Sequence, residues 1–332
     1  MGRDEPDGGR ARSGRRGGAP RPRRSRRTAP SASAACATDA RREPYPPLGL
    51  LENTTSWNDL YRDLAPITPE AWADIEEEAR SALTATLAGR RLVEFAGPLG
   101  WQPSSVDLGR TTDLKKRDDG ALARVRRVQP MVELRIPFQL QRREVDALAR
   151  GARDPDLAPI VTAARTAAMA EDGAIFNGYD EAGIVGIMSG SENDSVSLTS
   201  DYTRYPEAAA EAMRVLRAQG VAGPYAIALG PRCYAGLTGT THSGGYPVLE
   251  HLRSLVDGPL VYAPAVDGSV VMSMRGGDYE LSVGRDFSIG YLAHDADTVT
   301  LYIESSFTFL NNAPEAAVPL VYGTARRSSR KS

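Results

Sequence analysis

Residues 57–332 predict an α+β fold, on three observations. A proline-capped amphipathic helix opens this part of the chain, and alanine-rich helices mix with short strands through its middle. The last third, RGGDYELSVGRDFSIGYLAHDADTVTLYIESSFTFLNNAPEAAVPL, is strand-like almost throughout. Strands and crossover helices do not alternate evenly, so a doubly wound parallel sheet is not expected.

The opening helix is written in LAPITPEAWADIEEEARSALTATLAGRR, with Thr68 as N-cap, Pro69 at the first helical position and Gly89 as the stop. Trp72, Ile75, Ala79, Leu83 and Leu87 recur at spacings of three and four and so share one apolar face, while Glu76, Glu77, Glu78 and Arg80 read as a solvated remainder. RRLVEFAGPLGW then reads as a short strand running into a Gly-Pro turn. VDLGRTTDLKKRDDGALARVRRVQP reads as two polar extended segments around a turn at 118–120. Such a hairpin has little apolar face of its own and needs a partner surface, for which a neighbouring chain is a candidate.

LAPIVTAARTAAMAEDGAIFNG is a long alanine-rich helix, and YPEAAAEAMRVLRAQG is a second, with Pro206 near its start and Gly220 at its stop. Strands at YAIAL and LVYAPAV flank the helix-like PVLEHLRSLV, and LTGTTHSGGYP is a loop. Near the end Val299, Leu301 and Ile303 alternate with Thr300, Tyr302 and Glu304, which predicts one buried face and one wet face.

The 332 residues are 41% apolar, with a mean hydropathy of −0.34, enough for a sizeable core. No apolar run reaches the roughly 20 residues of a membrane span. Charge is uneven: residues 1–50 hold 12 Arg against 5 Asp and Glu, a net of +7, and the rest of the chain carries −9. The segment 1–56, rich in Arg, Gly, Pro and Ser, is expected to be disordered. It is either a polyanion-binding arm able to neutralise nucleic-acid phosphates or upstream sequence joined by a misassigned start. SRRTAP and SAAC resemble export boxes but lack an apolar segment of about 7 to 15 residues. Cys36 and Cys233 fit neither a disulfide framework nor a paired metal spacing. The expected compartment is the cytoplasm.

The chemical motifs are missing: there is no GxGxxG, GxxxxGK[ST], GxSxG, HExxH or CxxC. The three histidines, His242, His251 and His294, fall in unrelated contexts, and neither a metal site nor catalysis by this chain is expected.

Six stretches in order, LYRDLAPITPEAWADIEEEAR, GRRLVEFAGPLGW, MVELRIPF, GVAGPYAIALGP, RGGDYELSVGRDFSIGY and ESSFTFLNNAPEAAVPL, resemble the encapsulin shell proteins, formerly called linocin-type bacteriocins. The resemblance spans about residues 57–322 and implies the phage major-capsid fold of the Hong Kong 97 type. It implies the start of a peripheral domain at 57–105, an extended loop at 106–135 and the rest of the peripheral domain at 136–204, with a spine helix at 156–176. An axial domain at 205–274, return strands at 275–322 and a flexible tail at 323–332 complete the implied plan.

The same resemblance implies self-assembly into an icosahedral nanocompartment around a cargo enzyme, a dye-decolorising peroxidase or a ferritin-like iron-storage protein, held by the cargo's carboxy-terminal targeting peptide. By comparison with the family, the peptide groove falls on Leu83, Leu87, Arg90, Leu92 and Glu94, and the loop ringing the fivefold pore on Thr240, Thr241, His242 and Ser243. No cofactor is implied for the shell itself. Some encapsulins hold a flavin, which no motif here supports, and haem or iron would arrive only with cargo.

The chain departs from the family by about fifty residues at its start and by VYGTARRSSRKS at its end. Two other classes stay open: a phage or prophage major capsid protein that packages nucleic acid, and a secreted bacteriocin or protease. The second finds neither a signal peptide nor a nucleophile in the sequence.

Overall fold

Local chemistry starts the first helix where the sequence predicts it. In the computed structural model, which describes residues 58–115 and 119–323, α1 spans Pro69–Thr86, and the Thr68 hydroxyl accepts from the Ala71 amide at 3.3 Å. The helix ends at Thr86, before Gly89. Gly89 serves packing instead of capping, since a Cβ there would lie 2.5 Å from Ile175 Cδ1. The predicted arm at 1–56 and the tail beyond Gly323 lie outside the described residues, as does position 118 of the predicted turn at 118–120.

After α1 come β1 (Glu94–Ala96), β2 (Ser105–Asp113), β3 (Arg124–Pro130), β4 (Val132–Gln141), α2 (Arg142–Ala149) and α3 (Ala158–Asn177). β5 (Val196–Leu198), α4 (Tyr205–Ala218), β6 (Tyr225–Leu229), α5 (Pro231–Gly239) and α6 (Val248–Leu255) follow. The chain closes with β7 (Leu260–Tyr262), β8 (Ser269–Ser273), β9 (Tyr279–Val283), β10 (Ser288–His294), β11 (Thr298–Asn311) and β12 (Ala317–Tyr322).

One sheet runs β1-β9-β11-β10 with β4 also paired to β11, a second runs β5-β12-β8-β6-β7, and β2 and β3 form a two-stranded ribbon. The long β11 unites the first sheet: antiparallel pairs with β4 run from Thr298 against Gln141 to Phe307 against Val132, and pairs with β9 continue to Asn311 against Tyr279. Alternation in β4 turns Phe138 and Leu140 onto α1 and α3, where they join Trp72, Ile75, Leu83, Leu87 and Ile160 in one apolar cluster. Burying each such Leu or Ile contributes roughly 1.5 to 3 kcal/mol. A second, larger cluster is built from the β6–β8–β12 region, α4 and α6.

Two sequence expectations need correction. Glu76 does not face water with Glu77, because it is buried and paired to Arg62 at 2.5 Å. β11 has no wet face at Tyr302 and Glu304: both are buried, with the Arg135 guanidinium over the Tyr302 ring and paired to Glu304.

Candidate functional site

The turn that follows α1 is the most tightly tied segment carrying predicted site residues. Ala88 and Gly89 donate their amides to the two oxygens of Asp172, at 2.7 and 2.9 Å. Arg90 then enters the interior, where its Nε and Nη2 donate to Glu171 at 2.6 and 2.7 Å and its Nη1 lies 2.8 Å from Asp286. The same guanidinium sits over Phe287 and Phe95, at 4.8 and 5.2 Å from the ring centroids. Two carboxylates therefore contact one cation, and Asp172 adds a third acid close by.

Electrostatics follow from that ratio. Burial, opposed by the Ala88 and Gly89 amides, pushes Asp172 up to about 7. Burial alone would lower Arg90, but Glu171 and Asp286 outweigh it and hold the guanidinium above its usual range. The cluster fixes the end of α1 onto α3 and presents no reacting group to solvent.

This geometry corrects the predicted groove. Leu83, Leu87, Leu92 and Arg90 are 0, 2, 3 and 4% exposed, so their side chains are spent on the subunit's own interior. Helix periodicity cannot distinguish a stripe facing a groove from one facing a core. Glu94 alone is exposed, its Oε1 accepting from the Gly277 amide at 3.0 Å.

The β2–β3 ribbon pairs Ser105 through Asp113 with Pro130 through Arg124, with a shift between Asp107 and Arg110. Val125 and Val128 on β3 are exposed, as are Leu114 and Leu122 toward the tip, while Val106 and Leu108 on β2 are half-buried. The other predicted segment, after α5, is held by a Thr241–Pro247 bridge, by the His242 amide donating to the Tyr246 carbonyl at 2.9 Å and by the Thr240 hydroxyl donating to the Gly236 carbonyl at 2.7 Å. Thr241 and Ser243 are exposed, while Thr240 and His242 are half-buried. His242 and His251 are not in unrelated contexts: His242 Nε2 and His251 Nδ1 lie 3.2 Å apart.

Sequence reasoning missed Glu171, Asp172 and Asp286. The one available signal was the adjacent acids in the otherwise apolar AAMAEDGAIF, which a helix tolerates inside only with buried partners. Among the described residues no group of three or more His, Cys, Asp or Glu is gathered to hold a metal ion, and no helix is long and apolar enough to cross a membrane.

Comparisons with known proteins agree with this architecture. The fold resembles that in a crystal structure of a virus-like particle from Pyrococcus furiosus, with a TM-score of 0.55 at 18% identity over 75% of this chain and 98% of that one. A type 1 encapsulin shell protein of Rhodospirillum rubrum is 53% identical over 269 residues, 79% of this chain and 96% of the relative. One from Rhodococcus erythropolis is 45% identical over 262 residues, 79% and 99% of the two chains. These relatives are named for a structural role, not a catalytic one. A family model described as "Encapsulating protein for peroxidase" matches residues 57–308. The chain, with a capsid-type α+β fold and a match over 79% of its length to nearly whole shell subunits, belongs to the encapsulin shell-protein family.

Proposed function

We propose that this chain self-assembles into a closed icosahedral compartment in the cytoplasm and encloses a peroxidase. The observation that carries the assembly reading is the β2–β3 ribbon: it exposes Leu114, Leu122, Val125 and Val128 and, among the described residues, pairs with no other strand, as expected of an arm that finishes its packing on a neighbouring subunit. The description of the matching family supports peroxidase as the cargo. A ferritin-like iron-storage protein is the second candidate.

Cargo entry is assigned to a carboxy-terminal peptide that docks over the turn after α1. Glu94 meets the peptide there, while Arg90, Leu83, Leu87 and Leu92 hold the platform from beneath. Thr240, Thr241, His242 and Ser243 border an opening through which small substrates pass. The shell itself contributes no cofactor, and haem or iron resides in the cargo.

The test is coexpression with the peroxidase or ferritin-like gene nearest to this one, followed by size-exclusion chromatography, negative-stain microscopy and mass spectrometry of the particles. Uniform hollow particles of megadalton size with cargo inside are expected. A stable monomer or dimer over a range of salt and concentration overturns the assembly reading, and well-formed particles that never retain the cargo overturn the cargo assignment.

A further inference from the structure

Outside the residues tied to assembly or cargo, the strongest cluster is His242 with His251. His242 lies in the loop between α5 and α6, and His251 in the first turn and a half of α6. Their Nε2 and Nδ1 atoms face each other at 3.2 Å, with ring centroids 5.3 Å apart and planes at 61°. Two imidazole nitrogens in contact cannot both present lone pairs unopposed: a proton or a metal ion must lie between or beside them.

We propose that His242 and His251 form a two-histidine chelate for a divalent transition-metal ion, Cu²⁺, Ni²⁺ or Zn²⁺, that fastens the 240–247 loop to α6. With metal–nitrogen bonds of about 2.0 to 2.1 Å, two nitrogens 3.2 Å apart subtend roughly 100° at the ion, between the square-planar and tetrahedral angles. The loop is already closed by the Thr241–Pro247 bridge and by the Gly245 amide donating to the His242 carbonyl at 2.8 Å, so little order must be created on binding. No Lys or Arg occurs from Cys233 to Leu252, and the nearest one after it, Arg253, is paired to Glu250 at 2.5 Å. Water completes the coordination, and the half-buried rings leave room for it.

The test uses the full chain, stripped with a chelator and titrated with Cu²⁺ under electron paramagnetic resonance. One saturable ion per chain, with superhyperfine coupling to two imidazole nitrogens, is expected. His242→Ala and His251→Ala should each weaken binding at least tenfold while leaving the circular dichroism unchanged. Affinity within twofold of the parent in either variant overturns the site. Should a variant fail to fold, the nitrogen count in the parent decides alone: none or one imidazole on the bound ion overturns the proposal, as does the absence of saturable binding.

Discussion

Arg90 and Glu171 meet in a two-pronged ion pair, 2.6 and 2.7 Å, sealed inside the subunit and joining the turn after α1 to the middle of α3. Asp286 holds the third edge of the guanidinium at 2.8 Å. Because every charge is desolvated, removing one partner leaves the others uncompensated, and the cost is that of an orphaned buried charge rather than of a lost surface contact.

Arg90→Leu should therefore destabilise the subunit by about 3 to 5 kcal/mol. Arg90→Lys should recover only part of this, because an ammonium cannot make the two parallel bonds to Glu171. The soluble fraction after expression and the urea midpoint of the purified protein check both. Parent-like midpoints for Arg90→Leu would show that the cluster carries no stability.

Leu87 separates a core position from a groove position. It is 2% exposed, so Leu87→Asp should yield insoluble or unassembled protein, since a buried unpaired carboxylate costs several kcal/mol against a total stability of about 5 to 15. Well-formed particles that merely lose cargo would return Leu87 to the groove.

Asp172 makes stability depend on pH. Its folded value of about 7 stands above the unfolded value of about 3.9, so the folded state holds a proton that the unfolded state releases. The contribution is fully present below about pH 4 and is lost as pH rises to about 7, with a slope of at most about 1.4 kcal/mol per pH unit. Asp172→Asn should flatten that slope and lower stability throughout, because one amide oxygen replaces two acceptors for the Ala88 and Gly89 amides. Urea unfolding at pH 5, 6, 7 and 8 reads both effects, and an unchanged slope in the variant would assign the dependence to other groups.

The β2–β3 ribbon should matter for assembly and little for the fold. Val125→Asp combined with Val128→Asp changes exposed positions, where substitutions usually alter stability by under about 0.5 kcal/mol. The variant should keep its circular dichroism and lose the megadalton species in sedimentation velocity. Particles of normal size and yield would place the contact surface elsewhere.

Elements governed by near neighbours were determined by the sequence alone. Thr68 and Pro69 start α1 because capping is settled within one turn, and the spacing of Trp72, Ile75, Ala79, Leu83 and Leu87 marks its apolar face because that periodicity belongs to the helix itself. The ribbon's two polar, largely exposed strands were equally legible in its sequence. What that apolar face meets was not. Only the tertiary structure turned Leu83 and Leu87 onto β4 and α3, brought Glu171 to Arg90 from 81 residues away, covered the Tyr302 and Glu304 face of β11 with Arg135, and set His242 against His251. The reason is physical: local patterns specify which face is apolar, whereas burying a charge or pairing two rings depends on groups that only the folded chain brings within reach.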